Sequence, residues 1–241
     1  MKIVLATQGS QGVLALYELF SLGYKPDEIE VLICSSGASG PLIEFVNYNQ
    51  ISYELIHSSQ ELDSWLEPHH LIDHLLLSIS WKFKISSLVI EAFQSRVINL
   101  HPGLLPEYKG CFSTPWAIIN EEQFSGFTYH FVNEDYDKGD IILRRELEID
   151  PFDTAFSLYY KIITNALKYI GEVLGQANTP GKPQEQIGTY YKNELPYDGK
   201  ISAKWDVRRK ENFIRAMYFP PHEPAYEMVE GKKKYYLPRQ Q

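Results

Sequence analysis

Cysteine is scarce in this chain. The two that are present, Cys34 and Cys111, form no disulfide framework and stand at no metal-ligand spacing, which argues against a cross-linked scaffold and a structural zinc site. Cys34 lies in an apolar run and reads as a small core residue, and nothing beside Cys111 in sequence marks it as a nucleophile. Long apolar runs are missing too: none approaches the length needed to span a bilayer. The opening Met1-Lys2-Ile3-Val4-Leu5-Ala6 is too short in its apolar part for a signal peptide and carries no cleavage region. It reads as a first strand, and a cytoplasmic location is expected. Excess positive charge is also absent. The formal net charge of −8 disfavours a protein that holds nucleic acid mainly by neutralising phosphates. His69, His70 and His74 lack the carboxylate or cysteine that would complete a ligand set at clear spacing, so no metal is expected.

What is present is the composition of a globular chain long enough for a substantial core. Apolar runs at Lys2–Thr7, Ile29–Cys34, Tyr53–Ile56 and Leu75–Ser80 alternate with helical spacing over 13–22 and 41–49 and a short helix over 62–67. That alternation predicts an α/β fold, Rossmann-like, with a mostly parallel sheet and right-handed crossovers. Ligands of such sheets bind beyond the carboxyl ends of the strands. The turn Gln8-Gly9-Ser10-Gln11-Gly12 lacks the full dinucleotide fingerprint and a Walker lysine. It is a simple tight turn, or a place where a sugar or phosphate-bearing substrate passes over Ser10 and Gln11.

Farther along, Thr114 as N-cap and Pro115 at the first position predict a helix. Strands are expected over Phe127–Val132 and Ile141–Glu148, on either side of a turn-rich run at 133–140. From Asp153 the residues Leu158, Ile162, Ile163, Ala166, Leu167, Ile170, Val173 and Leu174 form one continuous apolar stripe, which predicts a long core helix. Gln176 to Gln186, with Pro180, Gly181 and Pro183, reads as a linker, giving a main domain over 1–178 and a small C-terminal appendage over 187–241. The appendage should hold a helix over 207–217 and a β-hairpin around Gly231-Lys232. Its aromatic and basic residues suit an anionic, ring-bearing ligand, and equally a dimer interface.

Chemistry concentrates between Ile98 and Gly110. Val97 to Leu100 reads as a strand end, and Asn99 and His101, two apart, project from one face of an extended backbone. Pro102 and Pro106 restrict the residues before them, so the following loop should be stiff. Alone, Asn-x-His is an ordinary polar strand end. The whole run Asn-Leu-His-Pro-Gly-Leu-Leu-Pro-Glu-Tyr-Lys-Gly, however, resembles the signature of the N10-formyltetrahydrofolate-dependent formyltransferases, and Asp137-Lys138-Gly139-Asp140-Ile141 resembles the Asp-x-Gly-x-Ile motif that accompanies it.

The resemblance implies a formyltransferase fold and a catalytic set of Asn99, His101 and Asp137. Two further segments, Gly110 to Trp116 and Phe213 to Pro221, resemble the sugar N-formyltransferase branch, most closely enzymes acting on dTDP-linked 4-amino-4,6-dideoxysugars. This likeness implies transfer of a formyl group from N10-formyltetrahydrofolate to the amine of a dTDP-linked amino sugar, dTDP-4-amino-4,6-dideoxyglucose, in O-antigen or surface-glycan synthesis. By the same resemblance Trp81, Lys82, Phe83 and Asp135 would lie along the folate, and Ser10, Gln11, Lys82, Tyr108, Arg209, Arg215 and Tyr218 along the sugar nucleotide. Lys82 could instead face water. The chain would act as a homodimer, without nucleic acid or membrane. In this chemistry Asn99 and His101 donate hydrogen bonds to a tetrahedral oxyanion, while Asp137 orients His101, favours its protonated form and helps move a proton. Glycinamide ribonucleotide formyltransferase is an alternative, supported by Gly9-Ser10-Gln11 but not by the aromatic tail. Methionyl-tRNA formyltransferase would carry a larger and more basic C-terminal domain. An idle folate or nucleotide-sugar binding protein would not need the three polar residues together.

Overall fold

The structure, a computed structural model, describes residues 1–34, 40–67, 69, 71–185 and 188–239. In chain order its first elements are β1 (Lys2–Thr7), α1 (Gly9–Ser21), β2 (Ile29–Cys34), α2 (Gly40–Tyr48), β3 (Ser52–Ile56), α3 (Ser59–Trp65), β4 (His74–Ile79), α4 (Ser87–Ala92) and β5 (Val97–His101). Next come β6 (Tyr108–Gly110), α5 (Ser113–Ile119), β7 (Phe124–Phe131), β8 (Ile141–Glu148), α6 (Ala155–Leu167) and α7 (Ile170–Gly175). The C-terminal part adds β9 (Thr189–Tyr191), α8 (Val207–Ala216), β10 (Tyr226–Val229) and β11 (Lys232–Tyr235).

Seven strands form one sheet in the order β3-β2-β1-β4-β5-β7-β8. Pairing is parallel from β3 through β5 and turns antiparallel between β5 and β7. This is the Rossmann-like, mostly parallel α/β fold that the alternation of elements predicts. The central strands β1 and β4 are covered on both faces, which is why Ile3-Val4-Leu5-Ala6 and Leu75-Leu76-Leu77 are unbroken apolar runs with no exposed side chain. Helix α1 follows β1 directly and lies close to it. A Cβ on Gly12 would sit 2.6 Å from the Thr7 methyl and 2.8 Å from Leu42, so this approach requires glycine.

Three local expectations are corrected. The turn after β1 is the first turn of α1, which starts at Gly9 rather than at Val13. Helix α5 starts at Ser113, with Phe112 at its N-cap in a left-handed conformation (φ 58°), so Thr114 lies inside the helix and does not cap it. No side chain caps α5, and the helix start is instead tied to the loop before it, the Ser113 hydroxyl donating to the Pro102 carbonyl at 2.5 Å. The apolar stripe from Asp153 to Leu174 is two helices, broken at Lys168-Tyr169, where Tyr169 N–H bonds the Ala166 carbonyl three residues back. A periodic stripe records which face is buried and passes over a one-turn break.

The chain gathers into two compact units whose segments alternate along the sequence. The first comprises Met1–His101, Thr128–Arg144 and Thr164–Glu185. Its core joins Val4, Ala6, Leu32, Leu62, Trp65, Leu76, Val89, Phe93 and Val97, with Trp81, Phe83 and Val132 packed against it. The second comprises Pro102–Phe127, Arg145–Ile163 and Gln186–Gln241. In it β6 pairs with β9, α5 packs on α8, and β10 and β11 form the hairpin the sequence predicts, turning at Glu230-Gly231. Among the described residues no helix is long and apolar enough to cross a membrane.

Candidate active site

The polar centre of the first unit is built on β5 and its two neighbours. Ser78 on β4 and His130 on β7 lie directly across from Asn99, and Thr128 lies across from His101. Side chains at 99 and 101 share a face because strand residues alternate. The loop between β7 and β8 then carries Asp137 to that face. Its carboxylate Oδ1 is 3.7 Å from His101 Nδ1 and 3.6 Å from His130 Nε2, close enough for strong attraction to either ring when it is protonated. His101 and His130 are buried, and the Asp137 side chain is 13% exposed, so water screens these interactions poorly.

The loop is fixed by its backbone. Asp137 has φ 55°, a left-handed conformation that Asp tolerates better than most residues. Two residues on, a Cβ at Gly139 would fall 1.8 Å from the Phe131 carbonyl oxygen, so only glycine fits there. Gln184 closes the arrangement: its side-chain amide donates to the carbonyl of Asp137 at 2.9 Å and to that of Gly139 at 2.7 Å. The stretch that reads as a linker in sequence thus holds the Asp137 loop.

Hydrogen bonds assign the orientation of Asn99. His130 Nδ1 is 2.7 Å from the Phe131 carbonyl, which can only accept, so Nδ1 carries a hydrogen. In the neutral ring Nε2 is then an acceptor, and it lies 3.2 Å from Asn99 Nδ2. Asn99 Oδ1 accepts from the Ser78 hydroxyl at 2.8 Å. The site therefore presents an oriented carboxamide, two imidazoles and one carboxylate, which together can donate to a developing oxyanion and move a proton.

Asn99, His101 and Asp137 come together as their spacing and the family motif imply. His130, Ser78 and Gln184 do not stand out in sequence. A histidine in a Tyr-His-Phe strand gives no sign that it faces Asn99 until the register is known. Of the other candidate residues in the first unit, Ser10 and Gln11 are in the first turn of α1, Ser10 exposed and Gln11 half-buried. In the loop after β4, Trp81 and Phe83 meet edge to face at 5.4 Å, and the buried indole Nε1 of Trp81 has no hydrogen-bond partner among the described residues. Lys82 is exposed, its Nζ 5.6 Å from the centre of the Phe83 ring. Asp135 is exposed and pairs with Lys138 at 3.0 Å. His69 is 3.7 Å from Glu30, His74 opens β4 and His70 lies outside the described residues. Among the described residues no group of His, Cys, Asp and Glu is placed to hold a metal.

In the second unit the Tyr108 hydroxyl donates to Glu122 at 2.7 Å and accepts from Asn120 at 3.1 Å, and burial pushes this phenol well above its usual range. Its ring stacks on Tyr191, which stacks in turn on Trp116. The Arg209 guanidinium lies 5.0 Å from the centre of the Trp205 ring and donates to the Tyr197 hydroxyl at 3.2 Å. Arg215 is engaged within the fold, donating to the Asp153 carbonyl at 2.6 Å and to Asn212 at 2.8 Å. Tyr218 is half-buried, and its carbonyl accepts from Phe156 N–H at 3.1 Å.

Residues 58–174 match the formyl transferase family model, and they span α3 to α7 with Asn99, His101 and Asp137 among them. The chain is similar to the GDP-perosamine N-formyltransferase of Brucella melitensis, with 37% identity over 166 residues, 68% of this chain and 64% of that protein. Its fold is that of the N-formyltransferase from Helicobacter canadensis in complex with folinic acid and dTDP-3-aminofucose: TM-score 0.78 at 23% identity, over 97% of this chain and 86% of that one. The 4-N formyltransferase from Francisella tularensis is equally near in structure, with TM-score 0.78 at 22% identity over 100% of this chain and 98% of the other. The chain thus spans just under two thirds of the length of the curated relative it matches.

Proposed function

We propose that this chain transfers the formyl group of N10-formyltetrahydrofolate to the amine of a nucleotide-linked amino sugar. The observation that carries the reading is the cluster of half-buried Asn99, buried His101 and half-buried Asp137 at the carboxyl end of β5, with His101 and Asp137 3.7 Å apart. The reaction joins the amine nitrogen to the formyl carbon, breaks the bond from that carbon to N10, and moves one proton from the amine to N10. Asn99 and His101 donate hydrogen bonds to the oxygen that becomes negative. Asp137 holds His101 and stabilises its charged form while the proton moves. For the folate, the residues after β4 fit a flat heterocycle: Trp81 and Phe83 supply apolar walls, and the indole N–H of Trp81, without a partner among the described residues, can donate to a ring acceptor. Asp135 lies on the loop that leads to Asp137.

Ser10, Gln11, Lys82, Tyr108, Arg209, Arg215 and Tyr218 are proposed to contact the sugar nucleotide. Functionally we retain residues 1–178 as the catalytic part and 187–241 as the part that serves the nucleotide and a homodimer, acting in the cytoplasm during O-antigen or other surface-glycan synthesis. The acceptor we propose first is dTDP-4-amino-4,6-dideoxyglucose, on the likeness of Gly110 to Trp116 and Phe213 to Pro221 to enzymes for such sugars. The 37% identity to a GDP-perosamine N-formyltransferase favours that GDP sugar as the second reading. The test is incubation of the full chain and the folate donor with each sugar nucleotide, and with glycinamide ribonucleotide, read by the mass gain of one formyl group. Formylation of glycinamide ribonucleotide alone would overturn the sugar assignment and leave the roles of Asn99, His101 and Asp137 in place.

A further inference from the structure

Formyl transfer by this cluster needs Asn99 to point its NH2 group, and not its carbonyl oxygen, at the reacting centre. A carboxamide is nearly symmetric in shape, and rotation by half a turn replaces a donor with an acceptor. An acceptor facing an oxyanion repels it. Something must therefore choose between the two orientations, and the site contains two groups placed to do so. In its neutral form His130, with Nδ1–H engaged by the Phe131 carbonyl, can accept one hydrogen of the NH2 at Nε2. Ser78 holds the other end, its hydroxyl donating to Asn99 Oδ1 at 2.8 Å.

We propose that Ser78 is a positioning residue for formyl transfer, which locks the Asn99 carboxamide with its oxygen turned toward β4 and its second N–H directed at the oxyanion. The inference rests on the proposed oxyanion role of Asn99. Ser78 is 1% exposed, so no water competes for its hydroxyl, and register on parallel strands puts it directly across from Asn99. Around it Val4, Leu76 and Val97 are all fully buried and apolar. A buried hydroxyl among such strands is costly unless it is hydrogen-bonded, and here its bond goes to the Asn99 side chain. The mechanism needs nothing of Ser78 itself. It touches neither substrate nor reacting atoms in this scheme, and it acts through Asn99.

The test is a double-mutant cycle on the full chain, with N10-formyltetrahydrofolate and whichever of dTDP-4-amino-4,6-dideoxyglucose, GDP-perosamine and glycinamide ribonucleotide the native chain formylates. Ser78→Ala should lower kcat about tenfold, the worth of one oriented hydrogen bond, with both KM values unchanged. Ser78→Thr keeps the hydroxyl and should restore most of the rate. In an Asn99→Ala background Ser78→Ala should cost less than about twofold, because no carboxamide remains to be oriented. An equal loss in both backgrounds would reduce Ser78 to a structural residue and overturn the proposal, as would a normal rate for Ser78→Ala beside a slow Asn99→Ala. If Asn99→Ala itself turns over normally, it is the oxyanion reading that falls. A substrate-free measurement covers inactive preparations: the side-chain amide NMR signals of Asn99 should be one sharp pair in the native chain and doubled or broadened in Ser78→Ala. An unchanged pair would contradict the lock.

Discussion

Asn99 and His101 owe their proposed role to a strand that sets them two residues apart, and to partners that leave each only one useful orientation. Removing either should take away an oxyanion donor while sparing the fold, since neither belongs to the apolar core. Asn99→Ala and His101→Ala are each expected to lower turnover about a hundredfold or more with KM little changed, measured by steady-state formyl transfer. Asp137→Asn keeps shape and removes charge, and should cut kcat with little effect on folate affinity. A rate that stays normal across pH would make Asp137 a loop residue only. A different residue carries a pH prediction for stability. Burial raises the Glu30 carboxyl above its ordinary range, with the charge of nearby His69 opposing that shift. A raised folded pKa means the native state holds its proton where the unfolded chain has lost it, so Glu30 opposes folding as pH rises through that window. Glu30→Gln should therefore raise the melting temperature at neutral pH, and the gain should fade as the pH falls through the raised carboxylate range.

At the scale of elements, the segments easiest to read in sequence are those whose signal is local. Strands β1, β2 and β8 match their apolar runs residue for residue, because two-sided burial or alternation is written into each run. Asn99, His101 and Asp137 are legible through the motif that surrounds them. What cannot be read depends on distant partners: the pairing of β6 with β9, the register that places His130 and Ser78 beside Asn99, and the reach of Gln184 to the Asp137 loop. The start of α5 is hidden for the same reason, since the hydroxyl that anchors it bonds eleven residues away in sequence rather than within its own first turn. The β7–β8 loop yields a prediction of its own. Gly139→Ala would drive a methyl into the Phe131 carbonyl and should displace Asp137, lowering turnover more than stability. Circular dichroism and kinetics on one preparation check this. Leu76→Ala, in the middle of the apolar core, should do the opposite, costing about 3 kcal/mol in denaturant unfolding.

For the whole molecule, the tail is bound into its surroundings: β9 covers β6, and α8 lies on α5 over the buried Ala117 and Ile118. A chain ending near Gly188 would lose both covers, so it should bind the sugar nucleotide poorly and aggregate, which size-exclusion chromatography will reveal. Arg209→Ala, which leaves that packing intact, should raise KM for the sugar nucleotide several-fold and spare that for the folate. The central claim is that the cluster of Asn99, His101 and Asp137 moves a formyl group from a folate to a nucleotide-linked amine. Its most direct test is a side-by-side assay of the native chain and His101→Ala with N10-formyltetrahydrofolate and the two sugar nucleotides, with mass spectrometry of the sugar as the readout. The account predicts a formylated sugar nucleotide from the native chain and a rate lower by about a hundredfold or more from His101→Ala. A native chain that formylates neither sugar, or a His101→Ala variant as fast as the native chain, would contradict it.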